Sequence, residues 1–395
     1  MTEFIKTELI AKGWSCDKKY RVQATDGMAY LLRITPREKA ESRFSMFEMM
    51  QRVAALGIPM CQPIEYGACD EGVYSLQSWI DGSDAEDVIH TLSDAEQYAY
   101  GIEAGRILKK IHSIPAPKTQ ENWETRFNHK IDRKIKMYSE CPIKYDNGQA
   151  FIDYINANRY LLKDRPQCYQ HGDYHIGNMM IDQSGKLQII DFDRYDFGDP
   201  WEEFNRIVWC AQKTPLFASG MVDGYFNGDV PFEFWRLLAL YISSNTLSSV
   251  PWAIPFGQTE IDTMLNQARE VLLWYDGMKN SVPTWYRNPL LCFCGHDCSC
   301  CLTYLATVNN DDKLRKKSQQ FYKDEFNLDS PLEKIHCFGG RSDDVFYLCK
   351  DCPWMKCVKE KGLSACSECA EYPCKPLAEY QTKHVNKCNQ MGEPK

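Results

Sequence analysis

Three polar residues whose types and spacing could carry out phosphoryl transfer lie in one short stretch of the chain. Asp173 is followed five positions later by Asn178, and Asp191 comes after a further apolar segment. Apolar residues on both sides of a polar turn at 182–185 predict a β-hairpin that brings Asn178 close to Asp191. Phosphoryl transfer needs an aspartate that orients the attacking hydroxyl and two oxygen ligands that hold Mg²⁺ on the phosphates.

This stretch resembles the catalytic segment of a protein kinase. Asp173 and Asn178 stand as D-x-x-x-x-N, and Asp191-Phe192-Asp193 takes the place of D-F-G. His171-Gly172-Asp173 replaces the usual H-R-D, a variant that resembles the aminoglycoside phosphotransferase family. The resemblance implies that Asp173 is catalytic, that Asn178 and Asp191 hold Mg²⁺, and that ATP or GTP is the phosphate donor. The alternative is a polar loop on an unrelated α/β protein.

The order of the predicted elements in the first 80 residues favours a two-lobed α+β fold. Apolar alternation and turn residues predict the sequence strand, strand, helix, strand, strand at 20–24, 28–35, 37–56, 62–67 and 73–79. Residues 2–12 show a helical period instead. The resemblance implies a small β-rich N-terminal lobe over 1–80 and a helical C-terminal lobe over 81–288, with an insertion at 121–164 that shapes the substrate side.

The same resemblance assigns the nucleotide-binding residues. Arg33, on the second predicted strand, is expected to contact the nucleotide phosphates and to be positioned by Glu48 on the following helix. The strand residue is normally Lys, and Arg is not an equivalent replacement; the alternative is two unconnected surface charges. Ser78 and Ile80 belong to a segment that resembles the linker between the lobes, whose backbone binds adenine. Residues 13–17 are a candidate phosphate-covering loop.

Four carboxylates after the catalytic segment are the candidate acceptor site. They lie where an amine-bearing substrate could bind: Asp193, Asp196, Glu202 and Glu203. All of the net charge of −8 falls on residues 1–290, which favours a small cationic acceptor such as an aminoglycoside-like antibiotic. For the two glutamates, a solvated acidic helix start explains the pattern equally well. Trp-rich helices leave choline or another small alcohol as an alternative, and a non-catalytic nucleotide-sensing module is a third possibility.

The last hundred residues differ sharply in composition. Thirteen of the nineteen cysteines fall between positions 292 and 388. Without evidence of secretion, this density and two C-x-x-C pairs indicate metal ligation, by Zn²⁺ or an iron–sulfur cluster. We expect about two metal ions in a Cys-rich domain over 291–390, held by ten cysteines, with His296 or His336 as possible substitutes. The ten are Cys294, Cys298, Cys301, Cys337, Cys349, Cys352, Cys357, Cys366, Cys369 and Cys374.

Composition also limits the partners and the location. The acidic net charge argues against a nucleic-acid backbone as the main partner. The longest apolar neighbourhood, 232–256, contains polar and charged residues and is predicted to be a buried helix, so no membrane partner is expected. The first residues lack a basic segment followed by an apolar one, which is the pattern of a signal peptide. These features predict a cytoplasmic protein.

Overall fold

The computed structural model describes residues 3–11, 17–286, 290–342, 344–363 and 365–385. These residues form two compact units, one made of those that fall within positions 1–92 and 99–286, and the other of those within 93–98 and 287–395. Most of residues 13–17, the candidate phosphate-covering loop, lie outside the described residues, and only Asp17 of that segment is within them.

The first unit opens with a five-stranded antiparallel sheet and one helix that packs on it. The order of the strands in the sheet is β1-β2-β3-β5-β4. The elements are β1 (Phe4–Ile10), β2 (Lys18–Ala24), β3 (Ala29–Thr35), α1 (Ala40–Ala54), β4 (Pro63–Cys69) and β5 (Gly72–Ser78). Gly27 in the turn between β2 and β3 has a φ of +85°, which glycine adopts without steric cost. The order predicted for 20–79 is therefore confirmed.

The helix predicted for residues 2–12 is wrong, because Phe4–Ile10 is a strand paired antiparallel with β2. Strand β1 lies at the edge of the sheet, where Ile5 and Leu9 are 65% and 68% exposed. These apolar residues therefore do not mark a buried helix face. Pairing with β2, a contact between separate segments, decides the conformation of this one.

The remainder of the first unit is mostly helical and contains most of its core. Apart from the first five residues of α3, which are assigned to the second unit, its helices are α2 (Ala85–Val88), α3 (Asp94–Ile111), α4 (Trp123–Glu140), α5 (Gln149–Asn158), α6 (Ile207–Lys213), α7 (Pro215–Phe226), α8 (Phe232–Ala253) and α9 (Gln258–Trp274). Helix α8 is buried along most of its length, as predicted for that segment, and it packs against α4 and α5. Among the described residues, no helix has the length and hydropathy of a membrane-spanning segment.

Two small sheets hold the catalytic segment. The predicted hairpin is present as β8 (Met179–Asp182) and β9 (Leu187–Ile189), with β6 (Gly82–Asp84) on the other side of β8. The second sheet pairs β7 (Cys168–Gln170) with β10 (Asp196–Gly198), so that Asp196 lies opposite Gln170.

The second unit consists of short helices joined by long irregular segments. The helices are α10 (Leu302–Val308), α11 (Asp312–Phe326), α12 (Pro353–Glu360) and α13 (Lys375–Tyr380). Its apolar clusters are small. One contains Val358 and Leu377 together with cysteines, and another contains Ile335 and Phe346 with Cys337.

Candidate active site

The hairpin brings Asn178 and Asp191 together at its open end. Ile190 donates its backbone N–H to the carbonyl oxygen of Asn178 over 3.1 Å, and Met179 is paired with Ile189. Asp191 follows directly with a φ of +63°, a backbone conformation that turns the chain sharply after the strand. The two candidate Mg²⁺ ligands are therefore placed by strand pairing, as the sequence predicts.

The buried side chain of His171 connects the catalytic loop to this hairpin. Its Nε2 lies 3.0 Å from the carbonyl oxygen of Ile190, and its Nδ1 accepts the backbone N–H of Asp173 over 3.3 Å. The imidazole also packs on Phe192, with the ring centroids 4.6 Å apart. One side chain thus fixes the loop that carries Asp173 against the segment that carries Asp191.

Gly172 stands where kinases have Arg, and the backbone explains why a glycine is needed. Its φ is +85°, and a Cβ at this position would lie 1.8 Å from the carbonyl oxygen of Arg194. Glu203 accepts the backbone N–H of Gly172 over 3.0 Å and that of Tyr174 over 3.4 Å. The tight approach of two segments and the buried carboxylate together fix the shape of the loop.

Two arginines hold the carboxylate of Asp173 in its ionised form. Arg206 Nε lies 3.3 Å from Asp173 Oδ1, and a guanidinium nitrogen of Arg194 lies 3.7 Å from Oδ2. Burial alone would raise the pKa of Asp173, but Arg206, His175 and Arg194 lower it below its usual value. Burial lowers the pKa of His175 to about 4, so that at pH 7 the arginines supply the positive charge. An ionised Asp173 can accept a hydrogen bond from a hydroxyl group.

The oxygens of Asn178 and Asp191 fit a divalent cation. Asn178 Nδ2 donates to the backbone carbonyl of Asp173 over 2.8 Å, which leaves the amide oxygen of Asn178 available as a ligand. Asp191 Oδ1 is buried, and no hydrogen bond to it occurs in the described part of the chain. The nearest guanidinium nitrogen of Arg33 lies 3.7 Å from this oxygen, too far for a hydrogen bond, so the oxygen keeps its lone pairs for a divalent cation.

Arg33 is buried on β3, but Glu48 is not its partner, and the predicted pairing is wrong. Arg33 ion-pairs with Asp193, and its nitrogens lie 3.7 Å from carboxylate oxygens of both Asp17 and Asp191. Arg43 contributes from α1, with its guanidinium nitrogens 2.6 Å from Asp17 and 3.2 Å from Asp193.

The phase of helix α1 explains this correction. Arg43 precedes the buried residues Phe47 and Met50 by four and seven positions and lies on their face of the helix, whereas Glu48 is exposed. Arg33 is thus held by aspartates from two segments, and a second arginine takes the place expected for the glutamate.

The linker candidates Ser78 and Ile80 lie at the end of β5 and just after it. Ser78 donates its backbone N–H to the carbonyl oxygen of Gln62 over 2.9 Å, so only its carbonyl group can serve a nucleotide. Ile80 is half-buried. The backbone at Ser78 and Ile80 is therefore compatible with the adenine-binding role that the resemblance implies.

The four candidate acceptor carboxylates do not form a common cation site, and this prediction is wrong. Each already has a partner within the protein. Asp193 forms ion pairs with Arg33 and Arg43, and Asp196 forms one with Arg126. Glu202 forms an ion pair with Lys130, and Glu203 accepts hydrogen bonds from backbone N–H groups. Burial alone would raise the pKa of Glu202, but Lys130 and Lys134 lower it below its usual value. Both glutamates lie at the start of a short 3₁₀ helix, Glu202–Arg206, but they are buried, so the alternative of a solvated helix start is also wrong.

The sequence prediction missed the basic residues that surround this region. They are Arg43, Arg126, Lys130, Arg194 and Arg206. Helix α4 did offer a signal, because basic residues recur at positions 126, 130, 133 and 134, three and four residues apart on one face.

The cysteines of the second unit gather in two neighbourhoods. In the first, the sulfurs of Cys292 and Cys298 lie 3.3 Å apart, and Gly340 donates its N–H to Cys298. Burial raises the pKa of Cys337 to about 12, with Cys298 and Cys301 adding to the shift. The thiol of Cys349 interacts with the same group.

The second neighbourhood contains Cys294, Cys366 and Cys374, which pack with Val358 and Leu377. Burial raises the pKa of Cys366 to about 11, and the thiols of Cys294, Cys357 and Cys374 contribute. Cys369 instead accepts a hydrogen bond from Lys361, and His336 bonds Asp344 over 2.9 Å. In the described ranges, no set of three or more His, Cys, Asp or Glu side chains has metal-binding geometry, and no disulfide occurs.

Comparisons with known proteins identify the families that the two parts of the chain match. The model of the phosphotransferase enzyme family matches residues 6–238, and that of a protein family of unknown function, DUF3795, matches residues 290–379. None of the curated proteins matches the chain.

Three solved structures share the fold. An amicoumacin kinase with AMP-PNP and Ca²⁺ is 12% identical, with a TM-score of 0.50, over 70% of this chain and 90% of its own. A GDP complex of an aminoglycoside 2'-phosphotransferase mutant is 14% identical, with a TM-score of 0.51, over 70% and 94%. A choline/ethanolamine kinase family protein from Mesorhizobium loti is 14% identical, with a TM-score of 0.51, over 69% and 91%.

These matches establish the two-lobed, kinase-like α+β fold of the first unit. The family match extends over more than half of the chain and includes Asp173, Asn178 and Asp191. The chain therefore belongs to the phosphotransferase enzyme family.

Proposed function

We propose that the protein transfers the γ-phosphoryl group of ATP or GTP to a hydroxyl group of a small molecule. The observation that carries this proposal is the convergence of Asp173, Asn178 and Asp191 on one hairpin end, where the buried Asp191 Oδ1 accepts no hydrogen bond from any described residue. The solved structures that contain AMP-PNP and GDP support a nucleotide donor and leave the base open.

Each residue has a role in this reaction. Asp173, held ionised by Arg206, orients the acceptor hydroxyl and takes its proton as the bond to phosphorus forms. Asn178 and Asp191 hold Mg²⁺, which when bound neutralises charge on the transferring phosphoryl group. Arg33 contacts the nucleotide phosphates, and its guanidinium is oriented by Asp17 and Asp193 before the nucleotide arrives.

The acceptor follows less directly from the family. Because the four candidate carboxylates of the protein are paired internally, the proposal of a cationic, aminoglycoside-like acceptor rests on family resemblance alone. Choline is an alternative acceptor, supported by the choline/ethanolamine kinase family protein that shares the fold. The test is transfer of labelled phosphate from ATP and from GTP to a panel of hydroxyl-bearing acceptors. Nucleotide binding without any transfer or hydrolysis would favour the alternative of a nucleotide-sensing module.

For the second unit we propose two metal sites at the two cysteine neighbourhoods. Its small apolar clusters provide little core, so that ligation would supply much of its folding free energy, on the order of 10 kcal/mol for a structural Zn²⁺. Elemental analysis and an absorption spectrum distinguish Zn²⁺ from an iron–sulfur cluster, because only the cluster absorbs visible light.

A further inference from the structure

A cavity of about 360 Å³ lies along helix α4 of the first unit, and three of its eight lining residues are Arg or Lys. Trp123 and Phe127 form an apolar part of the wall. Its polar side chains come from α4, from the segment before it and from strand β10: Glu121, Arg126, His129, Lys130, Arg133 and Asp196. The cavity thus combines an apolar surface with several charges, as small-molecule sites commonly do.

Internal pairs neutralise part of this charge. A guanidinium nitrogen of Arg126 lies 2.9 Å and 3.1 Å from the two carboxylate oxygens of Asp196. Lys130 Nζ lies 3.0 Å from an oxygen of Glu202, which also accepts a hydrogen bond from Gln170. Asp196 and Glu202 therefore have little capacity left to attract a cationic ligand.

Two further cations on α4 are not neutralised in this way. Arg133 lines the cavity, and Lys134 follows it on the helix. Within the described ranges, no carboxylate oxygen lies within 4.0 Å of a side-chain nitrogen of either residue. Burial is the main cause that lowers the pKa of Lys134 to about 7. The positive charges of Lys130, Arg206 and Arg133 contribute to this shift, and the negative charge of Glu202 opposes it. Arg133 is exposed and Lys134 is half-buried, so in the described part of the chain this segment of α4 carries two cations without a carboxylate partner.

This positive charge borders the catalytic loop. Arg206 acts on Lys134 electrostatically and at the same time lies 3.3 Å from the carboxylate of Asp173. Asp196, in the cavity wall, is paired across two strands with Gln170, the residue that precedes His171. Strand β10 and Arg206 thus connect the cavity lining and Lys134 to the catalytic loop.

We propose that the acceptor of the phosphoryl group carries an oxyanion, a carboxylate or a phosphate, that binds at Arg133 and Lys134 while its hydroxyl group lies at Asp173. This inference rests on the proposed phosphotransfer and specifies its substrate class. Two neighbouring cations without a carboxylate partner in the described ranges favour an oxyanion, because the bound anion supplies the missing counter-charge. A polyamine would instead meet unpaired like charges.

Binding of simple oxyanions tests the site without knowledge of the acceptor. With ADP and Mg²⁺ saturating, inorganic phosphate and succinate are titrated against the full chain by calorimetry or thermal shift. Replacement of both cations, Arg133→Gln with Lys134→Gln, should weaken binding at least tenfold, while Lys136→Gln on the same helix should leave it unchanged, because Lys136 lies near Glu140. Equal affinity in the wild type and the double variant would overturn the proposal.

Transfer assays separate this inference from the proposed function. Matched acceptors differ only in the anion: glycerol against glycerate and glycerol 3-phosphate, with kanamycin and choline as cationic acceptors. We expect at least one anionic acceptor to exceed glycerol tenfold or more in kcat/KM, and the preferred anion identifies the class. Transfer confined to kanamycin or choline would support the proposed phosphotransferase activity and overturn the proposed oxyanion site. Oxyanion binding that the double variant loses, without transfer to any acceptor, would support the site and count against the transferase.

Discussion

Arg206 Nε lies 3.3 Å from Oδ1 of Asp173, and this pair sets the charge of the candidate base. Because Arg206 lowers the pKa of Asp173, the Arg206→Gln variant should raise it. The acid limb of the kcat/KM profile should then move to higher pH, since Asp173 is active when ionised. Arg194→Gln, whose nitrogen lies 3.7 Å away and is half exposed, should shift the limb less. An acid limb that is identical in all three proteins would contradict this role of Arg206.

The nucleotide site should depend on Arg33 and not on Glu48. Arg33→Met removes the buried guanidinium and leaves Asp17 and Asp193 with Arg43 alone, so nucleotide affinity should fall at least tenfold. Breaking a buried ion network in this way should also lower the free energy of unfolding by about 3 kcal/mol. Glu48→Gln is the matched control, because Glu48 is exposed on α1. Calorimetric titration of ADP with Mg²⁺ measures the nucleotide affinity of both variants. An equal loss of affinity in Glu48→Gln would contradict this account and favour the pairing of Arg33 with Glu48.

Gly172 should not tolerate a side chain. Its φ is +85°, and a Cβ would lie 1.8 Å from the carbonyl oxygen of Arg194, so the loop must move in Gly172→Ala. We expect a loss of more than about 2 kcal/mol in unfolding free energy and a large fall in kcat. Gly228→Ala is the control, because Gly228 has a φ of +80° with open space around it and should cost only about 1 kcal/mol. Urea unfolding of both variants gives the comparison, and equal losses would show that crowding at Gly172 is unimportant.

The oxyanion site should lose affinity as the pH rises above 7. Lys134, whose pKa is near 7, faces Lys130, Arg133, Arg206 and Glu202, and a bound anion would raise its pKa. Above pH 7, Lys134 of the free protein must therefore take up a proton when the anion binds, whereas below pH 7 Lys134 is already protonated. Succinate is a suitable probe because its charge is constant from about pH 7 to 9.

We expect the Kd for succinate to increase up to about tenfold per pH unit above 7, and to change little below. In Lys134→Arg the cation remains charged throughout, so the dependence on pH should disappear while binding persists. A constant Kd in the wild type across this range would show that protonation of Lys134 is not linked to binding.

The two cysteine neighbourhoods should bind metal independently. Cys298→Ser should remove one of two bound ions, Cys366→Ser the other, and the double variant both. Cys69→Ser, in the first unit, is the control and should retain both ions. Elemental analysis of the purified proteins measures the ratio. Wild-type protein that is free of metal and still resists protease over 292–385 would contradict the proposal.

The sequence was most informative where the relevant contacts are local. The hairpin that joins Asn178 to Asp191 depends on residues within about fifteen positions, and it could be predicted from alternation and turn residues. Strand β1 was mistaken for a helix because its conformation depends on pairing with β2, and its apolar residues are exposed at the sheet edge.

The predictions that failed at the site involve long-range electrostatic contacts. Arg33 and Asp193 are 160 positions apart, and Arg126 and Asp196 are 70 apart, so that no local pattern reveals either pair. A cluster of carboxylates therefore looked available to a cation, although each carboxylate already has a partner. The net charge of a segment does not show which charges remain unpaired after folding.

The most direct test of the central claim is phosphate transfer by Asp173→Asn. The wild type should transfer labelled phosphate from ATP to an acceptor, or to water when none is present. The variant should lose at least about 10³-fold in kcat, because the carboxylate that orients the hydroxyl is gone. Its Kd for ATP with Mg²⁺ should stay within about threefold of the wild type, since Asn178, Asp191 and Arg33 are intact. Transfer at the wild-type rate by this variant would contradict the assignment of Asp173 and of the active site built around it.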